Sequence, residues 1–443
     1  MIIKKKLIIE FIIIFCLVCK YINNLWNEII IFRTNKIKIK IAIFSYSVKN
    51  GGVERQTSLM LHYFNKVKIF DLFLFTLKHK EENEYKVDEN IKRIVIKRNL
   101  FQILIENNID ILIYQFYKVS EIKKLNNLKK TKTIFINHSC FLHWIYYNKL
   151  FFFKTVYKTY RQCKYLISLV PFENNYLFKK WGINSILMNN FIGYKYNSIK
   201  PSDLSSKTIL MIGRGNDRIK RFEIGIKAMK YIANEIPECE MKIISKTDNL
   251  KRLKYLVTKM NLNKNIEFVG YISNPSMFYT NASLHLFPTL AEAFPNILSE
   301  TLVYGIPNIL AGLDYVSTAK GGTVIIYDDS PISIAKIAIK ILKNKRYRIK
   351  LGKGARNNMK KFRNDLLLRK WIKLLLSIYK GENYYKFLRQ KKRKSSEVEY
   401  INIINNQLKL LKLRNKQYLN ISINNIENFT FMENIEKYLL NHS

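Results

Sequence analysis

Between Lys38 and Lys380 the chain alternates short, almost wholly apolar runs with longer mixed stretches. Ile39, Ile41, Ile43 and their neighbours form a run ending at Ser45 that reads as a strand buried on both faces, since such a strand has no polar side to show. Gly51 and Gly52 then supply a turn, after which Val53, Met60, Leu61 and Phe64 recur at helical spacing. Further strand-like runs lie at 70–76, 109–114, 133–137 and 165–170, separated by charged stretches long enough for crossover helices. Such alternation predicts an α/β fold with a parallel sheet.

A polar segment at 193–207, carrying Pro201, Ser202 and Asp203, interrupts the pattern before it restarts with the apolar run 208–212. Strands are predicted near 241–245, 266–269 and 284–287, with an amphipathic helix over 222–233. The reading is therefore two Rossmann-like domains, 38–200 and 201–380. Residues 1–37 contain Lys4, Lys5 and Lys6 followed by the apolar stretch 7–18, broken only by Glu10. That stretch is shorter than the ~20 apolar residues a bilayer span needs. It is expected to be a membrane anchor or interfacial helix, with a helix docked on the first domain as the rival. Residues 381–443 form a basic, Asn-rich tail, with Lys391, Lys392, Arg393 and Lys394 near its start, to which no function attaches.

Composition narrows the class. With 48% hydrophobic and 13% aromatic residues, the chain can bury ample apolar surface and is not a disordered polyelectrolyte. Seventy-six basic against 33 acidic residues leave a formal charge of +43, which brings nucleic acid and anionic membranes into consideration. The excess is spread through both halves of the chain, which argues against a dedicated nucleic-acid patch; a compositional bias that over-uses Ile, Lys and Asn together accounts for it as well as function does, with attraction to a membrane surface adding to it. Five cysteines, Cys16, Cys19, Cys140, Cys163 and Cys239, are too sparse for a disulfide framework, so a reducing compartment is expected.

The chemistry concentrates in two stretches of the second half. In PTLAEAFPNILSETLVYGIPN, starting at Pro288, seven residues separate Glu292 from Glu300, and Pro295 stands where a helix could start. Glu292 would then lie in a loop after a strand and Glu300 on the following helix. The free N–H groups of such a helix start attract anions, and flanking carboxylates can accept hydrogen bonds from sugar or ribose hydroxyls. In ILMIGRGNDRIKR, starting at Ile209, a strand runs into a loop with Gly213, Arg214, Lys220 and Arg221, cations able to hold a diphosphate. Taken alone, each stretch reads first as a solvated charged surface.

Together, and in this order, they resemble a family 4 glycosyltransferase of the GT-B fold. EAFPNILSE resembles that family's pair of glutamates, GRGNDRIKRFEIGIKAM its donor-diphosphate loop, and GGVERQTSLML its N-terminal glycine loop. The resemblance, which covers roughly 38–380, implies two domains facing each other across a cleft and retaining transfer of a sugar from a nucleotide-diphosphate sugar, the co-substrate, to a glycan or lipid-linked acceptor. It implies that Arg214 and Lys220 neutralise the diphosphate and that Glu300 binds the ribose. Glu292 would contact the transferred sugar, and the amides of Ala293 and Phe294 would position sugar or phosphate. Gly51 and Gly52 would admit the donor from the other domain, and His138 would stand at the reacting centre, with His143 as its competitor. Ala293 and Pro295 stand where the family often has glycines, and Arg221 replaces a usual glycine.

No D-x-D triplet occurs, so no metal and no cofactor are expected, the protein's own cations serving the leaving group. Nucleic acid is not expected as a partner, and the cytoplasm or the cytoplasmic face of a membrane is the expected location. A non-catalytic nucleotide-sugar- or carbohydrate-binding protein on the same fold is the alternative, because a fold does not establish an activity.

Overall fold

The computed structural model describes residues 38–382, apart from 50, 98, 116–118, 139, 141–156, 195, 216–218, 246–249, 273, 313–314, 316–318, 320, 327 and 329. The expected segments 1–37 and 383–443, and His143, lie outside the described residues.

Two parallel sheets organise the chain. The first has seven strands in the order β3-β2-β1-β4-β5-β6-β7: β1 (Ile39–Ser45), β2 (Phe70–Thr76), β3 (Lys92–Val95), β4 (Ile111–Tyr114), β5 (Lys132–Ile136), β6 (Tyr165–Ser168) and β7 (Ile186–Leu187). The second has six, in the order β10-β9-β8-β11-β12-β13: β8 (Thr208–Ile212), β9 (Glu240–Ile244), β10 (Ile266–Gly270), β11 (Leu284–Phe287), β12 (Asn308–Ala311) and β13 (Thr323–Ile326). Central strands β1, β4, β8 and β11 are buried almost throughout, as a sheet with helices on both faces requires. The chain divides into two compact units, one with the described residues up to Ile134 and those from Leu368 onward, the other with Phe135–Leu367.

In the first unit α1 (Gly52–Phe64) follows β1, burying Met60, Leu61 and Phe64 while His62 faces solvent. Phe64 also meets Trp371 of α11 (Asn364–Tyr379) edge-on, with ring centroids 5.5 Å apart. In the second unit α5 (Phe222–Glu235) buries Phe222, Ile224, Ile226, Met229 and Ile232 against α9 (Pro331–Lys343), whose inner face is Ile334, Ala335, Ala338, Ile341 and Leu342. Each of these isoleucine, leucine, methionine and phenylalanine side chains contributes roughly 1.5–3 kcal/mol of burial. Helix α9 begins in the way its sequence dictates, with Pro331 in the first turn and the Ser330 hydroxyl accepting from the Ser333 amide. At its end the buried guanidinium of Arg348 donates to the carbonyls of Ile341 (3.0 Å), Leu342 (2.6 Å) and Leu204 (2.9 Å), satisfying acceptors that a helix terminus leaves open. Arg348 belongs to α10 (Lys345–Met359).

The other described helices are α2 (Leu100–Glu106), α3 (Ile122–Asn126), α4 (Pro171–Trp181), α6 (Lys251–Lys259), α7 (Ser276–Thr280) and α8 (Asn296–Val303). Among the described residues no helix is long and apolar enough to cross a membrane. Cys140, Cys163 and Cys239 are buried and form no disulfide among the described residues, and burial pushes the Cys239 thiol up to about 12.

Candidate active site

In the second sheet the strand order reverses between β8 and β11, which pair in parallel. Chains leaving the carboxyl ends of two such strands diverge to opposite sides and leave a crevice where ligands of parallel sheets bind. The loop from Gly213 to Arg221 leaves β8, and the loop from Pro288 to Pro295 leaves β11. Both chemistry-bearing stretches of the sequence thus meet at one end of one sheet.

The two loops are joined at Ile219, whose carbonyl accepts from the Leu290 amide at 2.9 Å and from the Thr289 hydroxyl at 3.2 Å. That seam brings Lys220 onto Glu292. The Lys220 ammonium donates to Glu292 Oε1, which also lies 3.1 Å from the Thr289 hydroxyl. Lys220 further sits 5.7 Å above the Phe287 ring, at the end of β11. Both members of the pair are largely shielded, at 19% and 14% side-chain exposure, so neither charge can be removed without stranding the other.

Glu292 lies in the loop and Glu300 on α8, one strand-helix connection apart. Pro295 is the residue immediately before α8, in extended conformation, so its missing N–H costs the helix nothing. Glu300 is only 1% exposed, and the Tyr279 hydroxyl donates to its Oε2 at 2.8 Å. Phe294 packs its ring 6.1 Å from that of Phe362, and its carbonyl accepts from the Asn190 amide at 3.3 Å; Ala293 beside it is half-buried. Arg214 is exposed.

Arg221 caps α5 at φ +54°, a left-handed conformation in which glycine carries no penalty. The glycine usual in the resembling family would suit this backbone, and the arginine retains the geometry at a cost of about 1–2 kcal/mol.

His138 lies two residues beyond β5. Its Nε2 is buried with no hydrogen-bond partner among the described residues, and burial pushes the imidazole down to about 4, so the ring is neutral at physiological pH. Gly51 and Gly52 belong to the first unit, where Gly51 caps α1 and Gly52 begins it. Among the described residues no group of three or more His, Cys, Asp or Glu could hold a metal ion.

Sequence reading missed four residues. Thr289 was hidden although it abuts the motif it serves. Gly215 donates its amide to Ser245 Oγ at 2.7 Å, and a Cβ there would come within 2.3 Å of the Leu250 side chain, which would have to shift to admit it. Asn190 lies 104 residues from its partner Phe294. Tyr279, within a five-residue helix, gave no periodic signal at all.

Residues 195–358 match the family model described as glycosyl transferases group 1. An uncharacterized glycosyltransferase of Haemophilus influenzae is 23% identical over 145 residues, 33% of this chain and 41% of the relative, so the match spans about two fifths of that relative's length. Among solved structures, sucrose-phosphate synthase from Thermosynechococcus elongatus superimposes with a TM-score of 0.64 at 15% identity, covering 78% of this chain and 100% of the other. TarM from S. aureus, in complex with UDP, alpha-GlcNAc-glycerol and fondaparinux, superimposes with a TM-score of 0.64 at 12% identity, covering 76% and 99%. At such identities the likeness establishes the fold. Residues 195–358 therefore carry a group 1 glycosyltransferase domain, in a chain whose two parallel sheets have the GT-B fold of those proteins.

Proposed function

We propose that the protein is a retaining glycosyltransferase that moves a sugar from a nucleotide-diphosphate sugar to a glycan or lipid-linked acceptor. The observation that carries this reading is the shielded Lys220–Glu292 pair at the β8/β11 reversal, with Glu300 on the helix that follows. A cation and two carboxylates at the carboxyl ends of parallel strands suit one ligand in particular. Its diphosphate needs counter-charge, and its ribose and sugar hydroxyls need acceptors.

In this reading Lys220 and Arg214 bind the diphosphate and stabilise it as it departs. Glu300 accepts from the ribose, and Glu292, exchanged from Lys220 to the sugar when the diphosphate arrives, accepts from hydroxyls of the transferred residue. The acceptor oxygen bonds to the anomeric carbon on the face from which the diphosphate leaves, and its proton passes to the departing diphosphate. Neutral His138 serves the reacting centre by hydrogen bonding. Electrostatic preorganisation supplies most of the rate, and no metal is required.

Nucleotide-sugars, UDP-sugars first because TarM was solved with UDP, are incubated with the full chain with and without membrane extract, and free nucleoside diphosphate is measured. Donor-specific, acceptor-stimulated release that survives EDTA, with the anomeric configuration retained by NMR, is expected. Binding without release under every condition would favour a non-catalytic binding protein, and inversion would remove the retaining mechanism.

A further inference from the structure

Helix α7 is five residues long, and Tyr279 is its one buried residue. On another side, Ser276, Met277 and Thr280 of the same helix line an open cavity of about 490 Å³ together with Tyr194 and Tyr304. Tyr279 is thus the deepest anchor of α7, with Phe278 packed partly buried against the same cluster. The Tyr279 side chain is boxed by two other rings: Tyr304 at 5.0 Å and Tyr194 edge-on at 6.1 Å, with Tyr194 and Tyr304 also edge-on to each other at 5.4 Å. The Tyr194 hydroxyl donates to Asn274 Oδ1 at 3.0 Å, which fixes the outer ring of the box. The Tyr279 hydroxyl has a different target, Glu300 Oε2.

We infer that Tyr279 is the positioning residue for Glu300, fixing the carboxylate in the orientation in which it accepts the ribose of the donor; this rests on the donor-binding reading of Glu300 given above. A phenol clamped by two rings is a donor of fixed direction, and its bond to Oε2 orients the carboxylate while leaving the group with lone pairs to accept a diol. The backbone on the far side of Glu300 is fixed independently. The neighbouring Thr301 hydroxyl donates to Asn308 Oδ1 at 3.0 Å, and Asn308 Oδ1 lies 2.5 Å from Nδ1 of buried His285 on β11. With the helix held from the sheet side, the Tyr279 hydroxyl sets where Oε2 of the Glu300 carboxylate stands.

The test is a double-mutant cycle in the full chain, with UDP and GDP as probes and the tighter one used for titration calorimetry. Tyr279→Phe keeps the ring and removes the hydroxyl. It is expected to weaken binding roughly tenfold, the size of a lost charge-assisted hydrogen bond, with the melting temperature little changed. Glu300→Ala is expected to weaken binding at least as much, and the double variant no further than Glu300→Ala alone, because Tyr279 acts only through that carboxylate. Tyr255→Phe, which changes an exposed tyrosine on α6 outside the box, should bind as the parent does.

Multiplicative losses in the double variant, or normal binding by Tyr279→Phe, overturn the positioning role. If Glu300→Ala itself binds normally, the donor-site reading fails instead. Fluorotyrosine at position 279 gives a measurement without truncation: its ¹⁹F resonance should shift on adding the nucleotide, and an unmoved resonance at saturation refutes the coupling even if Tyr279→Phe does not fold.

Discussion

Lys220 and Glu292 satisfy each other in the structure, so under the proposed function a diphosphate takes the place of Glu292 as the partner of Lys220. Lys220→Ala removes the counter-charge of the ligand and leaves Glu292 with only the Thr289 hydroxyl among the contacts described above. Loss of a charged hydrogen bond is worth ~1.5–3 kcal/mol, so nucleoside diphosphate affinity should fall roughly ten- to a hundredfold. Calorimetric affinity equal to the parent's would remove this loop from the donor site. His138 should behave differently. A neutral ring that stands at the reacting centre, as proposed for His138, acts on the transition state, so His138→Ala is expected to lower kcat with nucleotide affinity within about twofold. The reverse pattern, with His143→Ala losing turnover instead, would transfer the role to the other histidine.

Two histidines also set a pH dependence. Burial holds both His138 and His285 down at about 4, below the ordinary imidazole value of 6.5. The unfolded chain therefore binds protons that the folded one refuses between these values, and stability is lost as pH falls from about 6.5 towards 4. His285 is fully buried, so the melting temperature should drop across that window, and His285→Leu should show a shallower drop despite lower stability at neutral pH. Parallel curves for the two proteins would show that His285 does not contribute.

At the scale of elements, the apolar periodicity located nearly all the central strands to within two residues, because β1, β2, β8 and β11 are buried and mainly apolar runs. The missed strands are β3, β7, β12 and β13. In β3 the first two residues are Lys92 and Arg93, and β7 has only two residues. In β12 the buried Asn308, bonded to His285 and Thr301, disguises the run, and β13 is a half-buried edge.

The pair Glu292 and Glu300 was legible because their motif is continuous in sequence. Asn190, Ser245 and Tyr279 were not, since their partners lie in other elements and only the fold brings them together. Helix α10 makes the same point. Gly352 and Gly354 read as helix weakeners, yet a Cβ at Gly354 would stand 1.8 Å from the Gly321 carbonyl oxygen. Alanine is normally the better helix former by about 1 kcal/mol, but here Gly354→Ala should destabilise by about 1–3 kcal/mol through forced backbone separation. Chemical denaturation would measure it, and a gain in stability would show that the helix is not tightly seated.

Over the whole molecule the charge of +43 calls for an anionic counterpart. In the second unit the solvent face of α10 and the turn after it carries Arg346, Lys350, Lys353 and Lys360, while Arg348, Gly352, Ala355 and Met359 face inward. Each basic residue held near an anionic bilayer is worth about 1 kcal/mol, and the effect fades within a Debye length, so attraction by such surfaces is strong at low salt and weak at high salt. The sequence 7–18 adds apolar residues flanked by Lys4, Lys5, Lys6 and Lys20. An apolar signal and a basic one together retain a protein at a membrane where either alone releases it. The full chain is therefore expected to sediment with vesicles containing anionic lipid and to resist elution by salt. A version starting at Lys38 should bind the same vesicles only at low ionic strength, and neither should bind neutral ones. Retention of both versions in the supernatant at low salt would exclude a membrane partner. Equal salt resistance of the two would place the interaction on the folded units and deprive the first 37 residues of any part in it.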